Sequence, residues 1–297
     1  MKYTIRKMRK VIKMAKILSG KTVSERVKGE MREEIKALQA KGINPGLAVI
    51  IVGEDPASKV YVGRKEAMCT ELGMYSEKYA LPEETTMEEL KALVEKLNKD
   101  EKINGILCQL PLPKHQDEKE IINTIAPEKD VDAFHPVNVG KIMIGDYDFV
   151  PCTPAGILEL IKEIGIEPEG KNCVVIGRSN IVGKPMGMLL LHKNGTITIC
   201  HSKTANLKEV TKSADILVAA VGRAKFVTAD MVKEGAVVID VGMNRLEDGT
   251  LCGDVDYDAV EKVAGAITPV PGGVGPMTIS MLMKNTITAA KKQNKVQ

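Results

Sequence analysis

Short, continuous apolar runs alternate with longer segments of mixed polarity in the first half of the chain. Strands are predicted at GLAVIIVG (46–53), which is a continuous apolar run, at the mixed segment YSEKYAL (75–81) and at GILCQL (105–110). An unbroken apolar run is typical of a strand buried on both faces, as in a parallel sheet. A helix is predicted from Pro56 to about Leu72, because proline suits a first helical turn and Asp55 can cap it. A second helix is predicted to open at Thr85–Thr86.

The second half repeats this alternation. Its predicted strands are NCVVIG at 172–177, TITIC at 196–200, ILVAAVG at 216–222, AVVIDVG at 236–242 and AITPV at 266–270. Helices are predicted at about Ala155–Ile164 and at Gly183–His192. Strands separated by helices predict an α/β fold with a doubly wound parallel sheet. A boundary in the Gly- and Pro-rich zone 145–156 divides the chain into domains at 15–150 and 151–275, followed by a last helix at about 276–293.

Length and composition agree with two globular domains. The chain has 297 residues, 44% of them hydrophobic, and a formal net charge of +3. Nearly balanced charge and only 3% aromatic residues argue against a nucleic-acid partner, which needs a cationic face and stacking platforms. No apolar run is long enough for a signal peptide or a membrane span, so no membrane partner is expected.

The cysteines and the N-terminus bear on compartment and targeting. None of the six cysteines forms a C-x-x-C pair or has a histidine at metal-ligand spacing, so no metal site is expected. Free cysteines in apolar runs fit a reducing, cytoplasmic location. Residues 1–14 form a basic extension without an acid, either a targeting arm or a loose segment upstream of a natural start near Met14. We favour the loose segment.

A glycine-framed turn follows the first strand of the second domain. The segment GRSNIVGKP begins at Gly177 and places Gly183 at the start of a predicted helix. Such a turn brings backbone N–H groups and a helix dipole toward phosphate, as in a Rossmann-type dinucleotide site. The spacing is not G-x-G-x-x-G, so a turn without a ligand is the alternative.

The end of the next strand favours NADP over NAD. A NAD site usually places an acid there to bind the ribose hydroxyls. Here the strand is followed by His201, Ser202, Lys203 and Thr204, and Arg178 lies in the preceding turn. A cation and hydroxyl groups suit a 2′-phosphate, which needs charge-assisted donors. The alternative is that His201 and Lys203 are solvated loop residues.

Four polar residues near strand ends of the first domain are candidates for catalysis. Tyr61 and Lys65 are spaced i, i+4 and share one helical face, directly after a buried strand. Gln109 ends the run GILCQL, and Asp132 lies in the turn-rich loop KDVDAFHP. A desolvated lysine can exchange a proton near neutral pH. Taken singly, Tyr61 and Lys65 would more commonly be a helix-surface pair, and the alternatives for Gln109 and Asp132 are a strand-edge amide and a loop cap.

The motifs together resemble the bifunctional methylenetetrahydrofolate dehydrogenase/methenyltetrahydrofolate cyclohydrolase family. They occur in the family's order and span nearly the whole chain from about Ala15. The motifs are DPASKVYVGRKEAMC, GILCQLPLP, PEKDVDAFHP, PCTPAGILELI, VVIGRSNIVGKPMGMLL, CHSKT, DVGMN and TPVPGGVGPMTISML. The resemblance implies a folate-binding catalytic domain first, an NADP-binding Rossmann-type domain second, and a C-terminal helix that returns to the first domain.

The resemblance also implies roles for individual residues. Lys65 matches the catalytic lysine, Tyr61 the tyrosine that positions the folate ring, Gln109 the glutamine that tunes the lysine, and Asp132 the aspartate that binds the pterin. Arg178 and Ser202 match residues that hold the 2′-phosphate. Substrate is expected near Pro271, Gly272 and Gly273, and the cofactor at Gly177, Arg178, Ser179, Ile181, Val182, Gly183, His201, Ser202 and Thr204. Ala133, where the family commonly has glycine, is a mild departure.

The expected function is NADP-dependent oxidation of methylenetetrahydrofolate followed by hydrolysis to formyltetrahydrofolate, with Lys65 moving protons in the hydrolysis. The resemblance suggests a homodimer acting on tetrahydrofolate substrates. Three alternatives stay open: a dehydrogenase with weak or no cyclohydrolase activity, a non-catalytic dinucleotide-binding protein, and another nicotinamide dehydrogenase such as a shikimate or amino-acid enzyme. The last would share the second domain but not the segments DPASKVYVGRK and PGGVGP.

Overall fold

The computed structural model describes residues 14–296, apart from the side chain of residue 57, so the predicted extension 1–14 lies almost entirely outside the described residues. The first half carries three parallel strands, ordered β3-β2-β4, and five helices among its elements. In chain order the elements are β1 (Lys16–Ile17), α1 (Gly20–Gln39), β2 (Gly46–Val52), α2 (Pro56–Leu72), β3 (Tyr75–Leu81), α3 (Met87–Lys99), β4 (Gly105–Cys108), α4 (Glu118–Thr124) and α5 (Pro136–Ile144).

The second half is built on a larger parallel sheet, ordered β1-β11-β8-β7-β5-β6. Its elements are α6 (Cys152–Glu163), β5 (Asn172–Ile176), α7 (Gly183–His192), β6 (Thr196–Cys200), α8 (Leu207–Lys212), β7 (Ile216–Ala219), a 3-10 helix (Ala229–Met231), β8 (Val237–Asp240), β9 (Asn244–Arg245), β10 (Leu251–Cys252), α9 (Tyr257–Val260), β11 (Ala266–Ile267) and α10 (Val274–Gln293). Strands β9 and β10 form a separate antiparallel pair. The predicted α/β class with a doubly wound parallel sheet is confirmed.

Both faces of the central strand β2 are buried, which accounts for its unbroken apolar run. Its side chains alternate between two layers, as the pleat requires. Leu47, Val49 and Ile51 belong to the core that includes α1, α2 and α10. Ala48 and Ile50 belong to the core that includes α3 and α4. Within residues 14–296, no helix is long and apolar enough to cross a membrane.

The chain crosses between the two sheets at both of its ends. Strand β1 lies in the range predicted for the first domain, yet it pairs with β11 of the six-stranded sheet, with Leu18 N–H donating to the Ile267 carbonyl at 2.8 Å. Helix α10 runs back from the second half and packs on α6, α1 and α2. The division at residue 150 stays a prediction, since the six-stranded sheet includes β1, which precedes the three-stranded sheet in the chain.

Candidate active site between the two sheets

A cleft of about 390 Å³ lies where the two sheets face each other. The first half contributes the α2 side chains Tyr61 and Lys65 together with Gln109 and Asp132. The second half contributes the loops at 240–243 and 269–275 and the tip residue Ile181. The four predicted catalytic residues therefore meet in one cleft, beside the carboxyl ends of parallel strands, where open α/β sheets bind ligands.

Lys65 is a buried amine with one hydrogen-bonded partner among the described residues. Helix α2, which carries Lys65, begins at Pro56, and the Asp55 carboxylate caps its first turn by accepting from the Ser58 N–H at 2.7 Å. The Lys65 side chain is 8% exposed, and its Nζ donates to Gln109 Oε1 at 2.8 Å. Burial lowers the pKa of Lys65, and the Asp132 carboxylate partly opposes that shift.

Gln109 is held in one orientation by its own backbone neighbours. It follows β4, and its N–H donates to the Ile50 carbonyl at 2.8 Å, which extends the pairing with β2 by one bond. Its side-chain Nε2 donates to the Leu110 carbonyl at 2.7 Å. Since the amide nitrogen is occupied there, the amide oxygen is the atom that faces Lys65.

Asp132 shares the cleft with Lys65 and touches a thiol. Cys152 Sγ, at the start of α6, donates to Asp132 Oδ1 at 3.5 Å. Burial raises the pKa of Asp132, and the Lys65 ammonium pulls it back down. Burial, and after it the Asp132 carboxylate, raises the pKa of Cys152 well above its ordinary value, so the thiol stays protonated and able to donate. The sequence analysis placed Cys152 only in the motif PCTPAG and missed this contact.

The loop that carries Asp132 is fixed from both sides. The buried Asp130 carboxylate accepts from the backbone N–H groups of Phe134 at 3.2 Å and His135 at 2.8 Å. Asn285 of α10 donates to the Val131 carbonyl at 2.8 Å. Ala133, where the resemblance expects glycine, has φ 57°, a left-handed conformation that glycine adopts at lower cost. The departure therefore adds a conformational cost to the loop at Ala133.

Tyr61 of α2 and the glycine loop at 269–275 line the cleft from the two halves of the chain. The Tyr61 hydroxyl donates to Met243 Sδ at 3.3 Å, so this contact bridges the two halves of the chain. Gly272 has φ 108°, a conformation open mainly to glycine. A β-carbon on Gly273 would lie 2.6 Å from the Pro269 carbonyl oxygen. At Gly272 and Gly273, which were predicted to lie near substrate, the loop thus borders the cleft without a side chain.

The turn after β5 has the close packing that a dinucleotide turn requires. Gly177 has φ 133°, and a β-carbon on it would lie 2.3 Å from the Ala220 carbonyl oxygen. A β-carbon on Gly183 would lie 2.2 Å from the Gly177 carbonyl oxygen. Ser179 Oγ accepts from the N–H groups of Val182 at 3.1 Å and Gly183 at 3.3 Å, and Ile181 is 45% exposed at the tip. The geometry leaves a glycine-lined cradle at the N-terminus of α7, which fits a pyrophosphate.

The loop after β6 lies beside this turn. The Gly177 N–H donates to the Cys200 carbonyl at 2.9 Å, which joins the two loops at their base. The His201 N–H donates to Thr204 Oγ1 at 2.8 Å and fixes the loop. Arg178 and Ser202 are both exposed on these neighbouring loops. A guanidinium and a hydroxyl are therefore available for a phosphate at this edge.

Two buried carboxylates, which the sequence analysis did not single out, organise the remaining wall. Asp240 ends β8, and burial raises its pKa to about 6. Asp240 accepts from the N–H groups of Gly242, Asp254 and Val255, and Asp254 from those of Val221, Gly222 and Arg223. These bonds tie the loops after β7 and β8 together. Among residues 14–296, no cluster of three His, Cys, Asp or Glu side chains could hold a metal ion.

A Rossmann-type sheet that faces a lysine-bearing cleft defines the class of two-domain, dinucleotide-binding α/β enzymes. Comparison with known families narrows this class. Residues 18–132 match the catalytic domain of tetrahydrofolate dehydrogenase/cyclohydrolase, and residues 151–294 match the NAD(P)-binding domain of the same enzymes. The chain belongs to the tetrahydrofolate dehydrogenase/cyclohydrolase family, and the resemblance drawn from the motifs is confirmed.

Individual relatives agree with this assignment. A bifunctional protein FolD of Acetivibrio thermocellus is 64% identical over 95% of this chain and 99% of its own length. The crystal structure of a FolD methylenetetrahydrofolate dehydrogenase/cyclohydrolase from Campylobacter jejuni has a TM-score of 0.92 at 48% identity, covering 94% of this chain and 99% of that one. A FolD from Trypanosoma brucei, complexed with NADP cofactor and inhibitor, has a TM-score of 0.91 at 38% identity, covering 96% and 100%.

Proposed function

We propose that the chain oxidises 5,10-methylenetetrahydrofolate with NADP and hydrolyses the methenyl product to 10-formyltetrahydrofolate. One observation carries the proposal. The buried Lys65 amine, hydrogen-bonded to Gln109, lines a cleft whose other wall comes from the dinucleotide-binding half. Both reactions of the family can thus be served by one bound folate.

In the oxidation, the role of the protein is to position the folate and the cofactor relative to each other. NADP held at the turn of Gly177 and Gly183 would supply the acceptor for the hydride of the methylene carbon. Asp132 and Tyr61 hold the pterin against one wall, and the loops at 240–243 and 269–275 hold the other wall at a fixed distance. Correct placement of donor and acceptor replaces a strong acid or base, because the folate nitrogens delocalise the resulting cation.

In the hydrolysis, Lys65 moves the protons. Water adds to the methenyl carbon and loses one proton, which leaves a hydroxyl group on that carbon. A proton must then reach the ring nitrogen whose bond to the carbon breaks, while the hydroxyl gives up its remaining proton to solvent and becomes the formyl carbonyl. A lysine whose pKa is lowered by burial has a neutral fraction that can take the first proton and return it. Gln109 holds the Lys65 amine at the cleft while this happens.

The experiment follows NADPH and the methenyl intermediate by separate absorbance bands. NADPH formed from methylenetetrahydrofolate, without lasting accumulation of the methenyl compound, supports both activities. If the methenyl compound accumulates and then decays only at the rate of its spontaneous hydrolysis, the chain is a dehydrogenase without cyclohydrolase activity. Absence of NADPH in the presence of bound NADP favours a non-catalytic dinucleotide-binding protein.

The preference for NADP is proposed to depend on Arg178 and Ser202. Both are exposed on loops joined at their base, so both can reach a 2′-phosphate. A charge-assisted bond is worth about 1.5–3 kcal/mol, so Arg178→Gln should raise the KM for NADP by about tenfold or more while the KM for NAD changes little. Equal KM changes for the two cofactors would contradict the role of Arg178.

We also propose a homodimer located in the cytoplasm. Helix α5 buries Asn138 and Ile142 but leaves most of its apolar side chains exposed, and Leu191 on the adjacent α7 is 47% exposed. Exposed apolar side chains at this density favour an interface. Light scattering should give the mass of a dimer, and Ile144→Asp should shift it toward a monomer. All six cysteines are free, in keeping with a reducing compartment, which cell fractionation would test.

A further inference from the structure

Helix α10 contacts the loop of Asp132 through one buried amide. Asn285 is 7% exposed, and its amide nitrogen donates to the Val131 carbonyl at 2.8 Å and to the Val150 carbonyl at 2.9 Å. Both neighbours are carbonyl oxygens, which only accept, so the amide nitrogen and not the amide oxygen faces them. The two N–H groups of this amide therefore have one acceptor each.

The two carbonyls stand at the two ends of one segment of the chain. Val131 directly precedes Asp132, and Val150 comes shortly before Cys152, the first residue of α6. The residues between these ends include α5, which packs on α7 of the dinucleotide-binding half. Asn285 therefore joins the ends of a segment whose middle contacts the other half of the chain.

The same amide lies beside the thiol that contacts Asp132. The Asn285 amide nitrogen is 3.8 Å from Cys152 Sγ, and both side chains are buried. Among residues 14–296, Cys152 is the one residue hydrogen-bonded to the Asp132 carboxylate, at 3.5 Å. Asn285 thus acts on Asp132 from two directions, through the backbone carbonyl before it and through the thiol beside it.

We propose that Asn285 is a positioning residue for Asp132. This inference rests on the proposed function, in which Asp132 holds the pterin. Asp132 lines the cleft, whereas Asn285 lies behind it in a separate depression between α6 and α10, so Asn285 acts through its neighbours and not by touching folate. Without these bonds the loop would spend part of its time with Asp132 out of place, and the apparent affinity for folate would fall by that fraction.

The test replaces Asn285 with leucine, which has a similar volume and no donor. Asn285→Leu should raise the KM for folate about threefold to tenfold in both reactions, the loss expected from one net hydrogen bond. The KM for NADP should stay in place, because the turn at Gly177 lies in the other half. Asn285→Ser keeps one hydroxyl donor instead of two N–H groups. It should show a smaller rise in the folate KM, and it decides the test if the leucine variant does not fold.

Gln293 provides a matched control on the same helix. Its amide nitrogen also donates to two backbone carbonyls, those of Asn104 and Glu128, each at 2.9 Å. Glu128 lies only four residues before Asp132. Gln293→Leu should lower the free energy of unfolding in denaturant titration, as Asn285→Leu does, while the KM values for folate and NADP stay in place. The two variants therefore separate positioning of Asp132 from a general weakening of α10.

An unchanged folate KM in both Asn285 variants would overturn the proposal, as would an equal rise in Gln293→Leu. The double variant Asp132→Ala/Asn285→Leu should have the folate KM of Asp132→Ala alone, because Asn285 has nothing left to position, and additive effects would also overturn the proposal. Asp132→Ala by itself tests the proposed function. An unchanged folate KM there would overturn both, whereas a raised KM there with no change in the Asn285 variants refutes only the role of Asn285.

Discussion

Replacing Gln109 should move the pKa of Lys65 in a predictable direction. In the part of the chain that the structure describes, the Gln109 amide oxygen is the one acceptor bonded to Lys65 Nζ, at 2.8 Å, and burial already lowers the pKa of this lysine. A hydrogen bond to a charged group stabilises it by about 1.5–3 kcal/mol, and about 1.4 kcal/mol corresponds to one pKa unit. Gln109→Met, which keeps the length of the side chain, should therefore destabilise the Lys65 ammonium by about 1.5–3 kcal/mol and lower the pKa of Lys65 further.

The assay is the pH dependence of cyclohydrolase kcat/KM across the neutral to alkaline range. If neutral Lys65 takes the proton from water, the rate rises with pH through the lysine pKa. The rise should then shift to lower pH in Gln109→Met and to higher pH in Gln109→Glu, where a carboxylate stabilises the ammonium form. Gln39→Met, an exposed change on α1, is the control and should leave the profile in place. If both Gln109 variants have the same pH profile as the unaltered enzyme, Gln109 does not control the pKa of Lys65 and the reasoning is refuted.

Three further predictions test other parts of the site. Lys65→Met should lower cyclohydrolase turnover by about 10²- to 10⁴-fold while some NADPH is still formed, and normal hydrolysis would remove Lys65 from the mechanism. Asp132→Ala should raise the KM for folate in both reactions, so an unchanged KM would exclude Asp132 from the substrate site. Gly183→Ala places a methyl group 2.2 Å from a backbone oxygen and should lower the free energy of unfolding by about 1–3 kcal/mol and raise the KM for NADP. The control Gly29→Ala, in open space on α1, should instead raise the free energy of unfolding by about 0.5–1 kcal/mol. Denaturant titration measures both variants, and equal free energies of unfolding would contradict the tight turn at Gly183.

Helix ends that depend on capping residues, proline and glycine were predicted from the local sequence. Helix α2 has the predicted bounds, because Asp55 and Pro56 start it and Gly73, at φ 72°, ends it. The predicted ends of several strands were wrong by a few residues. Strand β4 ends at Cys108, and β7, β8 and β11 also end before the predicted segments do. The residues beyond those strands form the cleft loops instead. Helix α6 begins at Cys152, three residues before its predicted start, since its first turn includes Pro154.

Pairings between distant segments had no local signal. Helices α1, α4 and α5 were not predicted, and α1 buries its apolar face against α10, more than two hundred residues away. Within the site, helical spacing predicted that Tyr61 and Lys65 share a face. The contact of Cys152 with Asp132, and the carboxylate bonds of Asp240, depend on how separate loops pack. The roles of Lys65, Gln109 and Asp132 were predicted from the motif resemblance and not from periodicity.

The exchange of strand β1 and helix α10 between the two halves has a consequence for dissecting the enzyme. A fragment that starts at residue 151 would lack the edge strand of its own sheet, and it would expose the apolar side of α10 that α1 and α2 cover. A fragment that ends at residue 150 would lose that helix. Neither fragment should fold alone, so melting is expected to be one cooperative event. The cleft between the two sheets therefore forms only when the whole chain is folded.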